Sequence, residues 1–483
     1  MDFKKVLGAS MLALAAMSGF AKNGYKIEVN FKQDVQDEYI YLAHYYAKPL
    51  PTIYKTDSAK VINKRTAVLQ SKDSVLGGIY MILFDKRAKF AEMVLNNGDN
   101  FSISIDTVDM PLNVGFKGSE ENARYADYEK FLVNYGKKQQ SYTAELKNAK
   151  NAADTQAIRN KASKEAKQLI AYRKDYAAKY PGTYLADVFN ALWTPEVPEG
   201  THYLPGTKTV DSNFAYTYYK THYWDKFNFK NQRLMNSPVY DAKLDEYFNR
   251  LVFPVPDSVN AESDTLLAKV RKQPEFFKYS LHWLANNAEK SKVMGMDEVF
   301  VHLVEQYYMR GDAFWLDSAS LAKYEDRAKK IAPNVIGNIA PDLQLQDAFT
   351  LQDNSLLKFG APYTLLVFWS KDCSHCTTEV PKVDSVYRAV LKNKGVKVYA
   401  ISTEGDLNDI QKAIDKLGIR NWNNVVDAHN NTDYRSKYDV YSTPRIYLLD
   451  ENKKIIGKGL DHTNIEDVLL FNEKRKNKGK AGS

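Results

Sequence analysis

A chain of 483 residues with only two cysteines has no need of disulfide staples, because that length buries an ample hydrophobic core unaided. Its formal charge of +8 is modest for the length and gathers partly in a terminal run, Lys474, Arg475, Lys476, Lys478 and Lys480, with no nucleic-acid-binding motif beside it, so nucleic acid is excluded as a partner. The length corresponds to about three domains.

Residues 1–21 read as an export signal. Lys4 and Lys5 precede an apolar stretch from Val6 to Met17, and Gly19-Phe20-Ala21 offers small residues where a signal peptidase cuts. The stretch is short for a membrane span, and with no cysteine before Cys373 there is no lipoprotein cleavage site. A soluble, periplasmic protein with a cleaved signal is expected, an uncleaved N-terminal anchor being the competing reading.

From Tyr25 the alternation of Tyr25, Ile27, Val29 and Phe31 with Lys26, Glu28 and Asn30 predicts a strand with one wet face. Further on, Val94 to Asp99 contains Asn97-Gly98 and leads into Phe101, Ile103 and Ile105, which predicts a hairpin. Residues 22–119 are therefore expected to form an antiparallel β domain. Residues 120–333 turn helical: Tyr125, Tyr128, Phe131, Leu132 and Tyr135 share one face, and the charged stretch from Glu145 to Lys179 stops at Pro181-Gly182. Two more helical segments are expected after Asp264 and Asp297. Ahead of them, the aromatic stretch from Trp193 to Phe229 suits either a binding surface or packing between helices, and packing is the expectation. His282 and His302 are assigned no role.

The chemistry sits at Cys373-Ser374-His375-Cys376. Leu365 to Trp369 is a continuous apolar run, the pattern of a strand buried on both faces. After it, Val380, Val383, Tyr387 and Val390 recur at spacings of an amphipathic helix starting near Cys373, with Pro381 expected to kink it. A structural zinc site needs four ligands, and the only histidine close in sequence is His375, so no metal is expected. A c-type haem attachment needs His where Thr377 stands. A structural bridge over so short a loop removes little entropy from the unfolded chain. Redox exchange remains, and a helix N-terminus favours it by stabilising a thiolate.

The segment 334–475 resembles the thioredoxin superfamily, and more closely its extracytoplasmic branch typified by the TlpA and ResA thiol-disulfide oxidoreductases. The resemblance rests on Phe368-Trp369 before the Cys-x-x-Cys, on Glu379 and Pro381 after it, and on Gly337-x-x-Ala340-Pro341-x-Leu343 as a first strand. Val396 to Ser402 matches a central strand, Tyr441-Ser442-Thr443-Pro444 a cis-proline loop, and Arg445 to Gly457 a closing hairpin. The chain departs from that branch in three places. Asp372 precedes the first cysteine, Val367 replaces the buried strand carboxylate of ordinary thioredoxins, and Arg445 follows Pro444. The region up to Gly118-Ser119-x-x-Asn122, with Asn97-Gly98-Asp99-Asn100-Phe101, resembles an uncharacterised β domain attached to thioredoxin-like proteins of the Bacteroidetes.

The expected architecture is a multidomain protein whose C-terminal α/β thioredoxin fold is implied by the resemblance, preceded by the antiparallel β domain and an all-α domain read from periodicity, with a basic tail at 476–483 that the charge run marks as unfolded. Catalysis would use no cofactor beyond the redox-active Cys373–Cys376 disulfide. Cys373 would attack a partner's disulfide, Cys376 would resolve the mixed disulfide, and Glu379 would carry a proton. Trp369, Asp372, Ser374 and His375 would tune the pair: Asp372 opposes the thiolate and protonated His375 favours it. Thr443 and Pro444 would shape the edge where a substrate backbone docks. The partners implied are disulfide-containing envelope proteins and, as electron donor, an inner-membrane thiol-relay protein. His375 before the second cysteine resembles the oxidant DsbA, whereas Glu379, Pro381 and Asp372 point to a reductant or isomerase of intermediate potential. A thiol peroxidase is disfavoured, since its Pro-x-x-x-Thr-x-x-Cys loop is absent. A cell-envelope binding or scaffolding protein with an accessory redox domain is the alternative of another class.

Overall fold

The computed structural model describes residues 23–85, 87–110 and 112–481. The expected export signal lies outside them. The described residues fall into two compact units, one ending at Tyr247 and the other beginning at Phe248.

The first unit opens with strands β1 (Tyr25–Phe31), β2 (Tyr39–His44), β3 (Tyr54–Lys60), β4 (Thr66–Ser71), β5 (Gly78–Phe84), β6 (Arg87–Leu95), β7 (Asn100–Ile105) and β8 (Val114–Lys117). They form two four-stranded sheets, β4-β1-β7-β8 and β3-β2-β5-β6, antiparallel throughout except for the parallel pair β1–β7. In β1 the expected alternation holds, with Ile27 and Val29 in one core with Ile40, Leu42, Ile82, Met93 and Ile103 of both sheets. The hairpin expected at Asn97-Gly98 does not form. β6 pairs with β5 and β7 with β1, so this turn carries the chain from one sheet to the other. Its residues bind the start of β1 instead: Gly24 N–H donates to Asn97 Oδ1 at 2.9 Å and Gly98 N–H to Gly24 O at 2.6 Å.

Helices α1 (Glu120–Lys147), α2 (Ala152–Lys179), α3 (Tyr184–Ala191), α4 (Phe214–His222) and α5 (Tyr240–Glu246) complete this unit. Ser119 caps α1, and Asn122 in its first turn accepts from Val94 N–H at 2.7 Å and donates to Val94 O at 2.8 Å. Its amide thus satisfies the outer edge of β6, where buried backbone groups left unpaired cost about 1–3 kcal/mol each. The aromatic stretch mainly packs: Tyr223, Trp224, Phe227 and Phe229 meet Tyr240 and Tyr247, with Tyr223 and Tyr240 fully enclosed.

The second unit begins with α6 (Pro256–Val270), α7 (Pro274–Lys290), α8 (Asp297–Leu303) and α9 (Ser318–Ile331). The helical span expected at 120–333 is therefore divided, its first part packed on the β sheets and its second part joined to the C-terminal fold. Asp264 does not open a helix. Pro256 takes the first turn of α6, and Asp264, well inside it, accepts from Tyr307 Oη at 2.8 Å and meets His302 Nε2 at 2.9 Å.

There follow β9 (Gln344–Asp347), β10 (Asp353–Ser355), β11 (Tyr363–Trp369), α10 (Ser374–Ala389), β12 (Val396–Ser402), α11 (Leu407–Leu417), β13 (Asn423–Val426), α12 (Tyr434–Lys437), β14 (Arg445–Leu449), β15 (Ile455–Lys458) and α13 (Ile465–Ala481). The sheet order is β10-β9-β13-β12-β11-β14-β15, with β11 parallel to β12 and antiparallel to β14. Every residue of β11 is buried, as the apolar run from Leu365 to Trp369 predicts, and the strand extends two residues further back through Thr364 to Tyr363. Leu365, Val367 and Trp369 point into a core with Val380 and Val383 of α10 and Ile465 of α13. Leu366 and Phe368 point into the opposite core with Tyr399, Tyr438 and Tyr447. The fold class read from the sequence holds: a thioredoxin-like C-terminal domain after N-terminal β sheets and a helical middle region. The first strand starts later than expected, at Gln344, with Ile339 making only an isolated bridge to Lys454. The basic segment expected to stay unfolded continues α13 as far as Ala481. An amphipathic helix already docked through Ile465 and Leu469 carries it onward, and Lys476 pairs with Glu451 and lies over the Tyr363 ring at 5.2 Å. Among the described residues no helix is long and apolar enough to cross a membrane.

Candidate active site

The end of β11 delivers the motif to the start of α10. Trp369 is fully buried, and Cys373 is the N-cap of α10, with an extended backbone whose side chain can turn back on the first turn. Cys373 Sγ accepts Cys376 N–H at 3.2 Å and lies 3.0 Å from Thr443 O, to which the thiol can donate. The Thr443–Pro444 peptide is cis, as the cis-proline resemblance implied. Cys373 is partly exposed and Cys376 fully buried, and both are free thiols.

These surroundings separate the two thiols. Burial pushes Cys373 up, but hydrogen bonds from the Cys376 thiol, the Thr443 side chain and the N–H groups of Cys376 and His375 together hold it below its ordinary value. Burial also pushes Cys376 up, and sharing a proton with Cys373 adds to it, to about 11. The outer thiol is thus the more readily ionised of the two, and burial keeps the inner one protonated at neutral pH.

The other expected residues fall into place unevenly. Asp372 is exposed and its carboxylate is met by Lys371 Nζ at 2.8 Å, so the charge expected to oppose the thiolate is offset by its neighbour. His375 is exposed, and its backbone N–H reaches the Cys373 sulfur. Ser374 is exposed in the first turn of α10, its carbonyl accepting from Thr377 Oγ1 at 2.7 Å. Pro381 lies inside α10, which runs on to Ala389.

Glu379, one turn beyond Cys376, has a partner that sequence reasoning missed. Its Oε1 accepts His462 N–H at 2.7 Å, and its carboxylate meets His462 Nδ1 at 2.9 Å. Asp461 stands beside them, with oxygen and nitrogen atoms of the three residues within 4.8 Å of one another. Asp461 in turn accepts from Thr463 N–H at 2.8 Å at the approach to α13. Arg445, directly after Pro444, stacks its guanidinium 5.7 Å from the Tyr447 ring centre. No local signal ties His462 to Glu379, since the two are 83 positions apart.

Residues 336–458 match the family model of the AhpC/TSA family. Residues 149–334 and 25–125 match two domains of unknown function, DUF5106 and DUF4369. Among solved structures, a domain from Cytophaga hutchinsonii described as a possible thiol-disulfide isomerase is 37% identical over 30% of this chain and 99% of its own, with a TM-score of 0.29. The thioredoxin domain of a thiol-disulfide oxidoreductase from Bacteroides vulgatus is 31% identical over 29% of this chain and 97% of its own, with a TM-score of 0.26. A thiol:disulfide interchange protein from a Bacteroides species is 30% identical over 28% of this chain and 89% of its own, also at 0.26. No curated protein matches the chain.

Proposed function

Because the chain belongs, through residues 336–458, to the AhpC/TSA family of thioredoxin-like proteins, beside thiol-disulfide oxidoreductases of the Bacteroidetes, we propose that it reduces or isomerises disulfides of cell-envelope proteins through Cys373 and Cys376. The observation that carries this reading is the asymmetry of the pair. One thiol is partly exposed, lowered and set against Thr443 beside the cis-proline, and the other is buried, raised and one helical turn behind.

In the reaction, the Cys373 thiolate attacks one sulfur of a partner's disulfide. That S–S bond breaks, a mixed disulfide forms, and the departing partner sulfur takes up a proton. Cys376 then loses its proton and attacks Cys373 Sγ, which releases the second partner thiol and leaves the Cys373–Cys376 disulfide. Two electrons have passed to the partner, and in an isomerase the partner's own thiol displaces Cys373 first. The periplasm is the proposed compartment, on the strength of residues 1–21, and an inner-membrane thiol relay is the proposed electron donor. Equilibrating the protein with glutathione and dithiothreitol buffers tests the direction. A reductant or isomerase gives a midpoint between about −270 and −120 mV. A midpoint at the upper limit, with the protein fully oxidised in cells, makes it an oxidant and sinks the proposal.

The resolving step needs a base, because Cys376 at about 11 is protonated at neutral pH. The Glu379 carboxylate, on the same helix and held by His462, is proposed for that role. Glu379→Gln is then expected to slow resolution about 100-fold, the low end of general-base effects, with thermal stability little changed. Stopped-flow mixing with a mixed disulfide of Cys373 measures the step. If the variant melts earlier but resolves at the normal rate, the carboxylate serves only to anchor the approach to α13.

A further inference from the structure

Helix α9 and the residues just after it touch the stretch leading into the cis-proline loop at three alternate positions. Asn334 Nδ2 donates to Lys437 O at 3.1 Å. Arg327 pairs through Nη1 with Asp439, whose side chain is 9% exposed. Lys330 Nζ lies 5.5 Å from the ring centre of Tyr441, itself largely exposed. Two residues further, Thr443 O meets Cys373 Sγ.

The middle tether is the one under load. Asp439 has a φ of 51°, in the left-handed region that a side-chain-bearing residue holds only when its contacts compensate the cost. The guanidinium that pairs with it is itself oriented, because Arg327 Nε donates to Glu289 Oε1 of α7 at 3.2 Å. An exposed ion pair would contribute little, but here one partner is nearly enclosed and the fork of donors spans two elements. Asn334 is fixed as well, by the buried Lys458 Nζ at 2.6 Å from its Oδ1.

We infer that Arg327 is a positioning residue for the thiol site: by holding Asp439 it fixes residues 439–444, and with them the Thr443 surface against which a partner's disulfide meets Cys373. The functional half of this rests on the reading of Cys373 as the attacking thiol; the mechanical half does not. It also gives the helical segment a chemical role beside the domain it precedes.

The test compares the full chain with Arg327→Ala, Arg327→Lys and Asp439→Asn, the last keeping a residue that tolerates the left-handed region while losing its charge. Hydrogen exchange of peptides covering 437–444, the alkylation rate of Cys373 against pH, and KM and kcat for insulin reduction are read for each. Arg327→Ala is expected to speed exchange in that segment about 10-fold or more while the β12 and β13 peptides stay protected, and to shift the Cys373 alkylation profile. It should also raise KM about 10-fold with kcat changed less than about 3-fold. Arg327→Lys should recover most of each effect, and Asp439→Asn should fall between. Unchanged exchange and KM in folded variants overturn the inference, as does a loss of kcat at constant KM with exchange raised across the whole unit. If the unsubstituted protein fails to reduce insulin, the oxidoreductase reading falls. Exchange and the Cys373 profile then still decide whether Arg327 holds the loop.

Discussion

Cys373→Ser is expected to abolish disulfide reduction, with a loss on the order of 10³-fold or more, whereas Cys376→Ser is expected to stop after one half-reaction and accumulate mixed disulfides. The difference follows from the positions of the two sulfurs. Cys373 caps α10 and takes N–H groups from Cys376 and His375, so its thiolate is stabilised and accessible. Cys376 is fully buried and pushed up to about 11, so it attacks only a sulfur already brought to Cys373. Alkylation of the reduced protein should show the same order. Cys373 reacts with a midpoint below the ordinary thiol value of 9.0, and Cys376 lags at least about 100-fold near neutral pH, the ratio of thiolate fractions that two pH units of separation imply. Peptide mass spectrometry after brief iodoacetamide treatment reads both sites. Prior labelling of Cys376, or mixed disulfides trapped by Cys373→Ser in place of Cys376→Ser, reverses the assignment of attacker and resolver.

What the sequence disclosed and what it withheld divide along one physical line. β11 is legible in outline, because the continuous apolar run from Leu365 to Trp369 marks a strand buried on both faces, although the strand begins two residues earlier, at Tyr363. The thiol pair is legible because its chemistry is local, and the cis-proline loop through the family resemblance carried by Tyr441-Ser442-Thr443-Pro444. Partners far apart in sequence are not. Asn97-Gly98 specifies that the chain reverses but not which strands it joins, and β7 lies beside β1 because their apolar faces share a core. Helical periodicity shows that α1 buries a face, and α9 is not singled out at all. It does not show that one settles on β6 and the other beside the loop at 437–441. Asp264 has the character of a helix cap, yet Pro256 starts the helix. His462 reaches Glu379 across 83 positions and Arg327 reaches Asp439 across 112, with no repeat or spacing to announce either. The Lys371 that offsets Asp372 is a different kind of omission, because it stands in plain sight one residue away.

The second large effect concerns stability. Lys458 at the end of β15 has a side chain only 4% exposed, and its Nζ meets Asp297 Oδ2 at 2.5 Å at the start of α8. Burial lowers the Lys458 pKa, and Asp297 opposes that shift. Asp297→Asn removes the counter-ion and leaves the ammonium enclosed with Asn334 as a neutral acceptor, which is expected to cost about 3 kcal/mol at pH 7. The pH dependence carries the signature. Without Asp297 the folded pKa drops further below the ordinary 10.5, and between those two values the unfolded chain holds a proton that the folded chain has released. Stability therefore rises with pH through that window, and the deficit shrinks as pH climbs from 7 toward 10. Replacing both groups, with Asp297→Asn and Lys458→Met together, should recover most of the loss, because neither charge is then buried alone. Urea denaturation of the unsubstituted protein and of both variants at several pH values measures this. A deficit that stays constant with pH would mean that Asp297 acts through the N-terminus of α8, and a double variant as unstable as the single one would assign the loss to packing. Asn334 bonds both Lys458 and the Lys437 carbonyl, so the same ion pair is mechanically continuous with the loop that ends at Thr443. Asp297→Asn should accordingly loosen 437–441 along with β15, whereas Arg327→Ala should loosen the loop alone.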